Sequence, residues 1–404
     1  MLKKINVKDV QLGMYLQEVC GSWMDHPFWK KSFKLDDPKD IKTLQECEIH
    51  EVWIDTSKGL DIESDKPGKS AEEVRQDIEQ QLQLTSQTTS PSTHSISLQE
   101  EFSQAREIHS KAVTAVTQMF KEARMGKAIR VNEVDTLVND INLSITRNPE
   151  AFLSLSRLKT KDNYTYLHSV AVCALMIALG KQMGLDDATV KDLGMAGLLH
   201  DVGKMMIPDE VLNKPGRLTD DEFNVVRSHP RRGWEILKGS PGVCDVALDV
   251  CLHHHEKIDG KGYPDQLNGD TISLYAKMGA VCDVYDAITS IRCYKNVWDP
   301  VDAIRKMAEW QAGHFDKDVF QHFVKTVGIY PSGTLVKLKS TRLAVVIEQS
   351  AQNLLTPIVK VFYSTSKRQQ IDPQLVDLSN SIDSIINAED PAKWGFDLNK
   401  VIGM

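Results

Sequence analysis

Residues 188–204 read ATVKDLGMAGLLHDVGK, and the reading of this stretch decides the fold. Its apolar residues follow a helical pattern up to Leu199, and the run ends on two adjacent polar groups, His200 and Asp201. Neighbouring helical residues point about 100° apart, so one metal ion can take both only near a helix end. Otherwise the carboxylate reaches a second ion, which suits a bridging role for Asp201. Lys204, three residues on, falls on roughly the same side and could hold a phosphate oxygen or steady charge on a leaving group.

Helical patterns continue on either side of this stretch. They run through HSVAVCALMIALGKQMG (168–184), VNEVDTLVNDINLSITRN (131–148), DEFNVVRSHPRRGWEILK (221–238) and YAKMGAVCDVYDAITSIR (275–292), so the middle of the chain is expected to be an α-helical bundle. Six of the chain's twelve histidines lie between His168 and His255. In order along the helical segments come His168, His200 with Asp201, His229, His254 with His255, and then Asp283. Imidazole and carboxylate without thiolate suit divalent Mn, Fe, Zn, Ni or Mg. Five histidines and two aspartates exceed the needs of one tetrahedral ion. Two ions bridged by a carboxylate and a water or hydroxide fit the count, and such a pair clamps the attacking and leaving oxygens of phosphoester hydrolysis.

Beyond the bundle the texture changes. The first sixty residues hold β-like runs, INVKDV and EVWIDTS, with the aromatic cluster SWMDHPFW between them, and predict a small β-rich or α+β module. Residues 61–100 carry eight acidic against three basic side chains and include LTSQTTSPSTHSIS, which predicts a linker. Residues 98–126 show an amphipathic helical stripe through Phe102, Ile108, Ala112, Val113, Val116, Met119 and Phe120, suited to core or dimer contact. After Tyr330 the runs TLVKLKS, RLAVVIEQS and IVKVFYST predict a short antiparallel sheet. The expected division is therefore 1–60, linker 61–97, helical catalytic domain 98–330 and β-type extension 331–404.

Composition narrows the function. Over 404 residues, 41% hydrophobic and 26% charged side chains are near the average for globular proteins and exclude global disorder. A formal charge of −8 argues against binding to nucleic-acid polymers, though a local cationic site for a small anion remains compatible with it. Seven scattered cysteines with no C-x-x-C pair give neither a disulfide framework nor a thiolate zinc site. The longest apolar run, Val170–Gly180, is about half of what a membrane span needs. The start MLKKINVKDV lacks the apolar core of a secretory signal, so a cytoplasmic protein with no membrane contact is expected.

Together HDVGK, HHHEKIDGKGYP and DVYDAITSIRCYK resemble the HD-GYP family of HD metal-dependent phosphohydrolases, over residues from about 150 to 330. QLGMYLQEV, SWMDHPFW and IKTLQECEIHEVWID resemble the uncharacterised domain that precedes many HD-GYP domains. The resemblance implies a multidomain protein built on a mainly α-helical HD-type bundle, with the β-rich N-terminal domain and C-terminal extension attached. It implies a phosphodiesterase that hydrolyses cyclic di-GMP to pGpG, and often on to GMP, through a hydroxide bridging two divalent ions such as Fe, Mn or Ni.

Carried over residue by residue, it assigns His168, His200, Asp201 and Asp283 to one metal and His229, His254 and His255, with Asp201 as the bridge, to the other. His253 has no counterpart in the motif. A third-metal glutamate of some members is replaced here by Tyr164, which favours two ions and puts the second cleavage in doubt. Lys204, Tyr263, Arg292 and Lys295 are implied substrate-binding residues, and Glu256 is an expected acceptor that fixes an imidazole from behind the metal. The Asp259–Pro264 loop is a candidate contact for diguanylate cyclases, and residues 98–126 for a homodimer. The alternatives are a phosphodiesterase for cyclic GMP-AMP or a nucleotide monophosphate, and a non-catalytic cyclic-dinucleotide sensor or cyclase-docking module.

Overall fold

The computed structural model describes residues 1–21, 32–46, 49–62, 67–86, 96–156, 164–214, 216, 218–290, 298–350, 352–398 and 401. Two compact units emerge, Met1–Gln83 with Arg305–His314, and Leu84–Ile304 with Phe315–Met404.

The first unit is built on a five-stranded sheet in the order Phe33–Lys34, Tyr15–Val19, Glu51–Asp55, Leu2–Asn6, Gly68–Ser70. Alternation along the strands divides its faces. Ile5, Val52 and Ile54 turn into a core with Met14, Leu16, Leu35 and Leu44. On the other face Lys4 and Trp53, paired across neighbouring strands, meet the buried carboxylate of Glu309. The Trp53 indole donates to Glu309 at 2.8 Å, while Lys4 and Lys306 lie 3.7 and 3.2 Å from the same carboxylate. The segment Arg305–His314 thus joins a unit that the sequence reading ended at residue 60. The aromatic cluster SWMDHPFW lies outside the described residues.

The stretch read as linker is also corrected, because it contains the strand Gly68–Ser70 and the helix Ala71–Ser86. Ser70 accepts from the Glu73 amide, and the Glu73 carboxylate accepts from the Ser70 amide and hydroxyl, a reciprocal cap that starts the helix. Val74 and Leu82, two turns apart, are buried. Acidic composition concealed an apolar stripe of adequate spacing.

In the second unit, the helix Tyr164–Gln182 is buried on every side from Leu167 to Gly180, the pattern of a core helix. It is long and apolar enough to cross a membrane by length and composition, yet 78% of its most apolar window is buried inside the protein. The helices Leu98–Arg124, Val131–Arg147, Pro149–Ser156, Asp187–Leu199, Leu274–Thr289 and Lys317–Val327 pack around it. Most of the stripe on Leu98–Arg124 serves the core, with Phe102, Ala112, Val116, Met119 and Phe120 buried and Ile108 and Val113 half-buried. Glu101 on the same helix is fully buried and answered by Arg147 at 2.6 and 2.8 Å and by the Ser144 hydroxyl at 2.7 Å. Both carboxylate oxygens are thereby partnered, which offsets the cost of burying them.

The run 221–238 forms two helices, Asp220–Arg227 and His229–Lys238, with Pro230 in the first turn of the second. The C-terminal sheet has five strands in the order Ile385–Ala388, Leu335–Leu338, Arg342–Glu348, Ile358–Ser364, Gln369–Asp377. The three inner strands are the three β runs of the sequence. Both edge strands escaped that reading, since Gln369–Asp377 is largely exposed and contains Pro373, while Ile385–Ala388 has four residues.

Candidate metal centre

The site is assembled mostly from the ends of helices, with Asp283 from the middle of one. His168 stands in the second turn of Tyr164–Gln182, and His200 caps the C-terminus of Asp187–Leu199. His229 opens the helix His229–Lys238, His254 caps the C-terminus of Asp245–His253, and His255 follows it. Asp283 projects from the middle of Leu274–Thr289. Helix C-termini leave carbonyls without intrahelical partners. His200 and His254 use them, donating from Nδ1 to Gly197 O at 2.8 Å and Val250 O at 2.9 Å. His229 donates likewise to Val226 O at 2.7 Å. A carbonyl can only accept, so each ring carries a proton on Nδ1 and turns Nε2 inward.

Close backbone contact brings Asp201 and His229 together. After Asp201 the chain turns through the 3-10 helix Val202–Met206, whose Gly203 lies directly against the backbone at His229 and Gly233. A Cβ on Gly203 would sit 2.0 Å from His229 O, so glycine is required by space alone.

Asp201 is fully buried and splits its carboxylate between two groups. Its Oδ2 lies 3.4 Å from Nε2 of both His168 and His200, while its Oδ1 lies 3.3 Å from His229 Nε2 and 3.8 Å from His254 Nε2. Asp283 Oδ1 is 2.9 Å from His168 Nε2 and 3.8 Å from His200 Nε2. His168, His200 and Asp283 converge as one set, and His229, His254 and His255 as another, the ligand atoms of each lying within 4.8 Å of one another.

The two sets differ electrically. Burial drives the His168 and His200 pKa values down, but Asp201 and Asp283 outweigh it, so His168 rises and His200 rises to about 10. Burial lowers His229, takes His254 to about 3 and pushes His255 further below its usual range. Burial also opposes ionisation of Asp201 and Asp283, yet Lys204 and the histidines around Asp201, and the histidines around Asp283, hold both carboxyls well below their usual range.

The cluster fits divalent metal ions. His168 Nε2, His200 Nε2, His255 Nε2 and Asp201 Oδ1 are buried and make no hydrogen bond, although buried polar atoms are almost always partnered. A set of imidazoles and carboxylates, with Nδ1 of His168, His200, His229 and His254 engaged in hydrogen bonds away from the cluster, suits such ions.

Lys204 sits at the edge, 16% exposed, with Nζ 2.5 Å from Asp201 Oδ2. Tyr263 lies with its ring stacked on His255 at 4.7 Å and beneath the Arg227 guanidinium at 4.9 Å. Arg292 and Lys295 lie outside the described residues. Glu256 does not hold an imidazole. Its buried carboxylate accepts from the amides of Asp265 at 2.7 Å and Leu267 at 3.0 Å, and so anchors the loop that carries Tyr263. Gly262 lets that loop close, since a Cβ there would be 2.4 Å from Glu256 Cα. His253 turns away from the cluster, to Asp249 at 2.8 Å and Asp265 at 3.3 Å. Sequence reasoning missed Asp286, whose Oδ2 receives the His168 Nδ1 proton at 2.5 Å. The available signal was a second aspartate one turn after Asp283 in an otherwise apolar helix.

Residues 2–134 match a domain of unknown function, DUF3391, and residues 144–319 match the HD domain. A cyclic di-GMP phosphodiesterase of Pseudomonas aeruginosa is 52% identical over 399 residues, covering 98% of this chain and 94% of that protein. A cyclic di-GMP phosphodiesterase response regulator of Xanthomonas campestris is 43% identical over 40% of this chain and 43% of its own length. A 3'3'-cGAMP-specific phosphodiesterase of Vibrio cholerae is 34% identical over 43% of this chain and 41% of its own. With the HD dipeptide at His200 and Asp201, the DGKGYP loop and similarity to the Pseudomonas protein along nearly the whole chain, this protein belongs to the HD-GYP family of cyclic-dinucleotide phosphodiesterases.

Proposed function

We propose that the protein hydrolyses cyclic di-GMP to linear pGpG in the cytoplasm, using two divalent ions. The observation that carries this reading is the buried Asp201 carboxylate, which offers one oxygen to the His168 and His200 rings and the other to His229 and His254. A receptor that only binds nucleotide has no use for a bridging carboxylate. The whole-length similarity to a cyclic di-GMP phosphodiesterase supports the same substrate.

Two ions held by His168, His200 and Asp283, and by His229, His254 and His255, with Asp201 between them, would supply Lewis acidity to the phosphoryl oxygens and to a water. In the reaction, water oxygen adds to one phosphorus, the P–O3′ bond breaks, and the 3′ oxygen departs with a proton. Lys204, beside Asp201 at the exposed edge, binds a non-bridging phosphate oxygen and steadies the charge that builds on the leaving group. Tyr263 braces His255, and Arg292 and Lys295 take the second phosphate of the ring. Tyr164, stacked on His168 at 5.7 Å, holds the sequence position of the glutamate that would bind a third ion in some family members, and a tyrosine supplies no carboxylate there, so linear pGpG is the proposed end product.

Chromatography of products tests the reading. The protein, loaded in turn with Mn, Fe and Ni, is incubated with cyclic di-GMP and with cyclic GMP-AMP. Accumulating pGpG supports it. Turnover of cyclic GMP-AMP alone would move the assignment toward the specificity of the Vibrio relative. Undiminished turnover by Asp201→Ala would reject the bridging role.

A further inference from the structure

The two halves of the cluster are supported from behind in different ways. His200, His229 and His254 each donate Nδ1–H to a neutral backbone carbonyl three or four residues earlier, at 2.7 to 2.9 Å. His168 alone donates to a carboxylate, Asp286 Oδ2 at 2.5 Å, from a residue 118 positions away. Asp286 is 3% exposed and lies one helical turn after Asp283. The helix Leu274–Thr289 therefore places one carboxylate in the cluster and a second one behind its first imidazole.

A carboxylate draws the Nδ1 proton more strongly than a carbonyl does, which raises electron density at Nε2 and the ring's strength as a ligand. Formal charges add to this difference. The His168, His200 and Asp283 set faces Asp201 Oδ2 and holds one carboxylate of its own with another behind it. The His229, His254 and His255 set faces Asp201 Oδ1, meets Asp283 only through Oδ2 at 3.8 Å from His255 Nδ1, and has carbonyls and not a carboxylate behind His229 and His254. A dication is thus attracted more strongly to the first set.

Building on the two-ion reading, we propose that the two positions are inequivalent. The position formed by His168, His200 and Asp283 fills first and holds its ion more tightly, and Asp286 is the positioning residue that sets the difference. Partners of this kind change metal affinity by about 10- to 100-fold when removed.

The test is a titration of the metal-stripped full chain with Mn²⁺, following free ion by electron paramagnetic resonance and heat by calorimetry. The native chain should bind two ions in two resolved phases. Asp286→Asn keeps the shape and loses the charge, and should weaken the tight phase by about 10- to 100-fold while sparing the weak one. Asp286→Glu should restore part of the loss. His229→Gln should abolish the weak phase and leave the tight one in place. Thermal melting of each metal-stripped variant separates lost affinity from lost folding, and an Asn variant that melts normally yet binds weakly supports the positioning role. Two ions bound with equal affinity, or an unchanged tight phase in Asp286→Asn, would overturn the inference and leave the two-ion reading standing. A native chain that takes up one ion would overturn both.

Discussion

Replacing Gly203 by alanine adds a single methyl at the tightest backbone contact of the metal centre. The new Cβ would stand 2.0 Å from His229 O and 2.5 Å from Gly233 N, both backbone atoms, with no flexible side chain to yield. Relief to even 3.0 Å requires the turn 202–206 and the helix His229–Lys238 to separate by about 1 Å, the difference between the two distances. Asp201 precedes that turn and His229 opens that helix, so the 3.3 Å approach of His229 Nε2 to Asp201 Oδ1 lengthens by a similar amount. Overpacking of this kind costs about 1–3 kcal/mol of stability. A misplacement of about 1 Å in a reacting centre costs about 100-fold in rate. Gly203→Ala should therefore retain the ion held by His168, His200 and Asp283, lose the one held through His229, and turn over about 100-fold more slowly. Elemental analysis of the purified variant, with product chromatography, reads both effects. Two ions per chain with more than half of native turnover would show that the contact does not set the spacing.

Two further predictions concern groups around this centre and in the N-terminal unit. Tyr263→Phe keeps the ring against His255 and should stay within about twofold of native metal affinity, whereas Tyr263→Ala should lose about tenfold; equal losses in both would assign the work to the hydroxyl. Glu309→Ala leaves the Trp53 indole without its acceptor, while Lys4 keeps Glu51 and Lys306 keeps Glu18, and should cost about 1–3 kcal/mol in urea unfolding of the full chain. Burial pushes the Glu309 carboxyl up, but Lys306, Lys4 and the Trp53 indole outweigh it and lower its pKa. Its contribution is therefore present above the unfolded value near 4.5 and lost as pH falls through the lowered one, a decline that Glu309→Gln should flatten. A native acid limb identical to that of the Gln variant would contradict this.

Much of the metal centre is legible along the chain because its residues sit at helix ends and in short motifs. His200 with Asp201, and His254 with His255, follow apolar helical runs whose period announces them. The loop from Asp259 to Pro264 is visible through its glycines and proline. Glu256 shows where such reading stops, since adjacency to two ligands suggested support for an imidazole, whereas its carboxylate holds the amides of Asp265 and Leu267. Adjacency in sequence does not determine direction, and the turn after His255 carries Glu256 toward the loop.

By itself the sequence determined the order of the ligands, the helices that carry them and the inner strands of the terminal sheet, because periodicity and capping are local properties. Tertiary structure alone decided which oxygen of Asp201 faces which histidines, that Asp286 stands behind His168, and that Glu309 completes the N-terminal unit. The physical reason is common to all three. Each depends on side chains distant in sequence meeting in a buried interior, where an unpaired charge or imidazole is costly and packing selects the partner.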